Sequence, residues 1–254
     1  MKAVILAAGY ATRLYPLTLD RPKALLPVGG RPMVEHLLER LAEVEGLNEI
    51  HLVTNSKFAE AFGGWASGRA EDVRIIDDGT SDDDSKRGAI GDLDLTIRKG
   101  GIDDDLLVLA GDNLFSESLA PFADFGRAKG APALGVYDVG DLEAIRRYNA
   151  IELDADDRVT FFEEKPARPR STLTGIALYF YPRATLGLVR EYLAGGNNPD
   201  QPGHLVEWLY PRVPVYAWRV PGRWYDVGSK ETLAEADRAF QPDASQSGAF
   251  DAEA

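Results

Sequence analysis

The stretch KAVILAAGYATRLYPLTLDRPKALLPV, residues 2–28, decides how the rest of the chain is read. Its apolar run, residues 3–8, stops at Gly9, the pattern of a buried strand that ends in a tight backbone turn. In the polar loop that follows, Gly9 has no Cβ and Ala11 only a methyl group, so the main chain can approach a ligand closely. Thr12 and Arg13 add a hydroxyl and a fixed charge, and Lys23 supplies a second cation further along. Main-chain N–H groups beside Arg and Lys suit a polyphosphate, because charge-assisted bonds to phosphate oxygens are the strong ones. The same residues also fit an ordinary strand-to-helix turn with two solvated bases. The turn is neither a P-loop, since no Gly-Lys-Ser/Thr follows, nor a G-x-G-x-x-G dinucleotide turn.

Outward from this stretch, helical and strand patterns alternate. Met33, Leu37, Leu38, Leu41 and Val44 share one face of an amphipathic helix over residues 31–46, with Pro32 in its first turn. EIHLVT (49–54) and VRIID (73–77) read as short strands around a helix at 57–65, and LLVLA (106–110) as a fully buried strand. The alternation predicts βαβ units and an α/β fold with a largely parallel sheet. Asp112 follows the buried strand and so falls on the same sheet edge as Gly9, where open α/β sheets bind ligands. An Asx turn or helix cap explains a single Asp there equally well.

Further on, a helix near 116–129 precedes a strand at 133–139 and a short helix after Asp141. Residues 148–153 and 158–162 flank Asp154-Ala155-Asp156-Asp157 as a hairpin, and 173–179 forms another strand. Helices at 182–193 and 202–210, a strand at 213–220 and a last helix at 230–240 complete the reading, with 226–229 as its capping turn. Residues 1–240 are expected to form one domain, and the Ala/Ser/Asp/Gln-rich 241–254 a disordered acidic tail. There are no internal repeats.

Composition narrows the function. Of 254 residues, 44% are hydrophobic, ample for a core, and the formal net charge of −13 argues against nonspecific nucleic-acid binding. Anionic substrates must then be met by local bases or a metal. The absence of cysteine excludes disulfides, thiolate catalysis and Cys-ligated zinc. No segment approaches the roughly 18 apolar residues of a membrane span, and the apolar run after Met1-Lys2 is too short for a signal peptide. A cytoplasmic protein that acts without nucleic acid or membrane is the expectation. His36, His51 and His204 have no ligand spacing, and no serine or threonine has a histidine partner for nucleophilic catalysis.

Leu6-Ala7-Ala8-Gly9-x-Ala11-Thr12-Arg13-Leu14-x-Pro16-Leu17-Thr18, then Arg21-Pro22-Lys23-x-Leu25-Leu26-Pro27-Val28 and Arg31-Pro32-Met33, closely resemble the opening signature of the sugar-1-phosphate nucleotidyltransferases, or NDP-sugar pyrophosphorylases. Gly111-Asp112-Asn113, Glu163-Glu164-Lys165-Pro166, residues 173–179 and Trp224-Tyr225-Asp226-Val227-Gly228-Ser229 resemble later motifs in the same order. The resemblance implies a Rossmann-like, mostly parallel mixed sheet flanked by helices, of the nucleotide-diphospho-sugar transferase type, without the β-helix domain of larger relatives. It also implies transfer of a nucleoside monophosphate from a nucleoside triphosphate, dTTP or UTP foremost, to a sugar 1-phosphate, with release of pyrophosphate. Homo-oligomerisation is a family-level expectation.

By the same resemblance, Leu6, Ala7, Ala8, Gly9, Ala11 and Thr12 hold the nucleotide, Arg13 and Lys23 its phosphates, and Gly88 the base. Asp112 and Asp226 are the expected Mg²⁺ ligands. Lys165 pairs with the sugar phosphate and Glu163, in preference to Glu164, with a sugar hydroxyl; Asn149, Thr174 and Gly175 line the sugar pocket. Composition alone also allows Glu163, Glu164 and Lys165 to be an exposed strand end, and Asp226 to belong only to the capping turn. Three departures stand out. No glutamine precedes Gly88 to read thymine or uracil, Leu173 stands where Asn is usual, and Tyr148-Asn149-Ala150-Ile151, with Asn149 after the tyrosine, stands where the family has a Tyr/Phe-Gly-Val motif. The altered pocket leaves open a cytidylyltransferase acting on inositol or choline phosphate, and a catalytically silent nucleotide-sugar binder is the reading from a different class.

Overall fold

The computed structural model describes residues 1–69 and 72–241. The expected tail therefore lies outside the described residues, except for Gln241.

The signature strand is β1 (Lys2–Leu6), central in a seven-stranded sheet. A Pro27–Val28 strand (β2) and an Arg31–Pro32 strand (β3) pair as a small hairpin before α1 (Met33–Ala42). Gly29 and Gly30 make its two-residue turn with φ of 57° and 82°, which only glycine adopts without strain. This corrects the expected start of the helix at residue 31. Pro32 is in extended conformation at the N-cap, so α1 begins one residue later.

The chain continues through β4 (Glu49–Thr54), α2 (Ala59–Ala66), β5 (Val73–Asp77), α3 (Ala89–Lys99), β6 (Leu106–Ala110), β7 (Asn113–Phe115) and α4 (Ala120–Lys129). Next come β8 (Ala133–Asp138), α5 (Leu142–Ile145), the hairpin β9 (Asn149–Leu153) and β10 (Val159–Glu164), and β11 (Leu173–Tyr181). Last are α6 (Gly187–Ala194), α7 (Pro202–Leu209), β12 (Tyr216–Arg219), β13 (Trp224–Asp226) and α8 (Lys230–Ala239). The helix expected from residue 182 opens instead with a 3₁₀ turn, Arg183–Thr185.

The large sheet has the order β12-β8-β11-β6-β1-β4-β5. All of its pairings are parallel except those of β11, which runs against both β6 and β8. Alternate residues of the central strands serve two cores. Ala3, Ile5, Leu107 and Leu109 pack under α1, α2 and α4, whereas Val4, Leu106 and Val108 pack under α3, α6 and α7. Burial on both faces explains why these strands read as continuous apolar runs. A third, smaller core of Leu14, Leu26, Val28, Met33, Leu114, Val227 and Ala236 joins the signature stretch to β13 and α8.

From β1 the chain runs outward through β4 to β5 and then returns to β6 on the other side of β1. The loops after β1 and β6 leave the sheet at this reversal, which is where such sheets bind ligands. Gly111 N–H donates to the Leu6 carbonyl at 2.8 Å and holds the two loops together. Among the described residues, no helix is long and apolar enough to cross a membrane.

Candidate active site

The loop after β1 is built to leave its main chain open. Among the described residues, the N–H groups of Gly9, Tyr10 and Ala11 have no protein partner. The loop is secured through its carbonyls instead. The buried Asn55 amide donates to the Ala8 carbonyl at 2.8 Å, and the buried Thr18 hydroxyl to that of Ala11, also at 2.8 Å. Ala11 is left-handed at φ 49°, ψ 43° and leads into the 3₁₀ turn Thr12–Leu14. Free donors beside Arg13 form an anion-binding concavity.

Lys23 and Asp112 meet in an ion pair, Nζ to Oδ2, at 2.6 Å. Burial pushes the Asp112 carboxyl up, but the Lys23 ammonium overrides this and leaves it below the usual carboxylate range. Asp112 is joined to Asp226 through the backbone: β13 pairs antiparallel with β7 so that Asp226 stands opposite Asn113, and Val227 N–H donates to the Asp112 carbonyl at 3.0 Å. Burial first, and the Asp112 charge second, push the Asp226 carboxyl up to about 6, against the pull of Lys23 and Arg13. Gly228 passes close to the Arg13 guanidinium, within 3.7 Å of where a Cβ would stand. Ser229 caps α8 through a capping box with Thr232.

The two carboxylates repel each other, and a hard divalent cation would relieve this. Among the described residues no group of three or more acidic, His or Cys side chains is assembled. A cation held by Asp112 and Asp226 would therefore draw its remaining oxygens from substrate phosphate and water, the usual situation for Mg²⁺. The residues present fit that ion.

From this phosphate end a cavity of about 570 Å³ runs along the carboxyl ends of the strands. Leu6, Ala8, Gly9, Ala11, Thr12, Arg13, Gly88 and Asp112 line it, and Ala7 and Lys23 line an adjoining recess. All the residues expected to hold the nucleotide thus converge. Gly88, at φ 77°, has no room for a side chain, since a Cβ would lie 2.5 Å from the Pro199 carbonyl oxygen. The Asp200 and Pro199 carbonyls accept from the N–H groups of Ala89 and Ile90, which closes the N-terminus of α3.

The opposite end corrects several expectations. Glu163 is exposed, and Glu164 lines the cavity instead, pushed up to about 7 by burial. Gly203 lies so close that a Cβ there would overlap the Glu164 carboxylate. With its amide oriented to satisfy both neighbours, Gln201 donates to Glu164 Oε1 at 2.7 Å and accepts from the Lys165 ammonium. Lys165 is exposed and left-handed, at φ 48°.

Asn149 reaches the cavity, but its amide is committed to β11. Its Nδ2 donates to the Gly175 carbonyl at 2.8 Å, and its Oδ1 accepts from Gly175 N–H at 2.6 Å. Thr174, expected in the pocket, is fully buried and donates to Asn149 Oδ1. Gly175 does line the cavity, in a position where a Cβ would press on Leu134 at 2.7 Å. Leu173 is buried in the apolar core. Trp224 is more than packing, since its Nε1 donates to Asn113 Oδ1 at 2.7 Å and its side chain lines the cavity. His36 and His51 are buried in the interior, away from the cavity.

The sequence reading also passed over Asn55, Thr18, Gln201 and Asp92. Asp92 had one detectable signal: it is the one charged residue among the buried positions of its helix, with Ile90, Leu93, Leu95 and Thr96.

The family model described as nucleotidyl transferase matches residues 2–242. A UTP–glucose-1-phosphate uridylyltransferase of Synechocystis sp. is 30% identical over 94% of the chain and 63% of its own length. A protein of the same description from Haloferax volcanii is 26% identical over 97% of the chain and 99% of its own length. The chain spans about half the length, 54%, of several other curated relatives it matches. Among solved structures, UDP-glucose pyrophosphorylase in complex with UDP-glucose superimposes with a TM-score of 0.79 over 94% of the chain and 97% of that structure, at 20% identity, which bears on the fold alone.

Proposed function

The chain belongs to the nucleotidyl transferase family, and we propose that it joins a nucleoside triphosphate to a sugar 1-phosphate, releasing pyrophosphate and an NDP-sugar. The observation that carries this is a single cavity with an anion-binding loop, two bases and two carboxylates at one end and a half-buried carboxyl at the other. UTP and dTTP with glucose 1-phosphate lead the candidates, because relatives over nearly the whole chain are described as UTP–glucose-1-phosphate uridylyltransferases.

In this reading the triphosphate lies on the free N–H groups of Gly9, Tyr10 and Ala11, with Arg13 and Lys23 on its oxygens and the base against Gly88. Lys165 holds the acceptor phosphate and Glu164 a sugar hydroxyl. The acceptor's phosphate oxygen forms a bond to the α-phosphorus as the bond to the pyrophosphate oxygen breaks. That oxygen is already a competent nucleophile, so no residue need remove a proton. Alignment and neutralisation of charge account for the catalysis. Asp112 and Asp226 would hold Mg²⁺, which when bound would supply positive charge to offset that of the phosphates. Lys23 and Asp112 already stand within 2.6 Å of each other, so the cation and the carboxylate act on the same phosphates.

Pyrophosphate release measured with Mg²⁺ across the common nucleoside triphosphates, crossed with sugar 1-phosphates, inositol phosphate and choline phosphate, tests this reading. Release that requires one nucleotide and one sugar 1-phosphate is the expected result. Release only with CTP and a non-sugar phosphate, or nucleotide binding with no release for any pair, would defeat it.

A further inference from the structure

Behind Gly88 the cavity ends on a buried polar network that the proposed chemistry does not use. Asp92 lies one turn along α3 from Gly88, on the same helix face, and its side chain lines the cavity. It is only 6% exposed, and its Oδ1 is sealed from solvent without a hydrogen-bond partner. The neighbouring Asp78, 2% exposed, is amply supplied: it accepts from Thr80 N–H at 2.6 Å and from the Thr80 hydroxyl at 3.0 Å. The Tyr10 hydroxyl meets Thr80 at 3.1 Å and ties this network to the nucleotide loop.

We propose that Asp92 is a specificity residue for the nucleobase, accepting a hydrogen bond from the ring N3–H of uracil or thymine. This rests on the reading that the base lies against Gly88. Burial, followed by the Asp78 charge, pushes the Asp92 carboxyl up to about 7 against the pull of Arg87. Asp92 Oδ1 is thus an unpartnered acceptor in the wall of the cavity. A buried polar atom without a partner is destabilising, and a base N–H would satisfy it. Cytosine has the same size, but its N3 carries a lone pair and would oppose the carboxyl oxygen. Asp92 thus supplies the choice between two pyrimidines where no glutamine precedes Gly88 to read the base.

The test is calorimetric binding of UTP, CTP and N3-methyl-UTP to the full chain and to Asp92→Ala and Asp92→Asn. The wild-type protein should bind UTP at least about tenfold more tightly than the other two, the value of one well-made hydrogen bond. Asp92→Ala should weaken UTP selectively and bring the three ligands together. Asp92→Asn can donate to Asp78 and still offer its oxygen to the cavity, so it should recover much of the preference lost in the alanine variant. Equal weakening of UTP and CTP in Asp92→Ala would reduce the residue to a structural role and overturn the proposal. So would wild-type protein that binds N3-methyl-UTP or CTP as well as UTP, a measurement that stands even if the alanine variant fails to fold. Selective UTP binding without pyrophosphate release would sink the transfer reaction and leave the role of Asp92 standing. Absence of any nucleotide binding would sink both.

Discussion

The two ends of the cavity are made differently. At the phosphate end, a short continuous stretch exposes main-chain N–H groups and is braced from behind by Asn55 and Thr18. At the acceptor end, the polar groups come from β10, β11 and the start of α7, and most are bonded to one another. A site made of backbone tolerates side-chain change and keeps its ligand class. One made of mutually bonded side chains changes its ligand when a single partner changes. The first should therefore fix the reaction and the second the substrate.

The largest effects are expected where charge is concentrated. Lys23→Ala and Asp226→Asn should each lower turnover by roughly 10²–10³, read as pyrophosphate release from proteins whose thermal melts show them folded. Near-normal turnover in either would remove that residue from the phosphate machinery and break the contrast. At the other end the effect should fall on one substrate only. Glu164→Gln should raise the acceptor KM about tenfold while the nucleotide KM holds, whereas Glu163→Gln should change neither, since its side chain faces solvent. A response from Glu163 equal to that from Glu164 would reverse the assignment.

A third effect is one of pH. Glu164 has a folded pKa near 7, above its ordinary value of 4.5. The folded state thus holds the proton more tightly, a contribution fully present below pH 4.5 and lost as pH rises through 7. Melting temperature should fall more steeply between pH 5 and about 8 in the wild-type protein than in Glu164→Gln, and identical pH profiles would place this carboxyl in solvent. Smallest of all, Ala11→Gly should add about 1 kcal/mol of stability, because Ala11 is held left-handed. A urea midpoint unchanged by the substitution would mean that the loop relaxes out of that conformation.

The same contrast explains what could be read from sequence. The phosphate end was legible because its residues are consecutive or follow buried strands, and its chemistry lies in the backbone. Asp112 and Gly9 could be assigned to one edge from the apolar runs that precede them. Glu163 and Glu164 could not be told apart, because the pleat decides which faces inward and a register shift between Val159 and Phe161 resets its phase. Thr174 is misplaced for a similar reason, whereas Asn149 does reach the cavity. β11 shifts register beyond Gly175, and these two side chains are drawn into hydrogen bonds there. Asp92 is hard to read because the charge that acts on it, Asp78, lies after a different strand, and no local pattern announces their proximity.

The third core has a consequence for how the signature loop keeps its shape. Gly29 N–H donates to Asp237 at 2.9 Å and packs against the Phe240 backbone, while Leu14, Leu26 and Met33 share their apolar cluster with Val227 and Ala236. The signature stretch is thus propped by a helix about two hundred residues further along the chain. The motif and the support that holds its loop in shape are separable, and a chain cut before α8 would carry the first without the second.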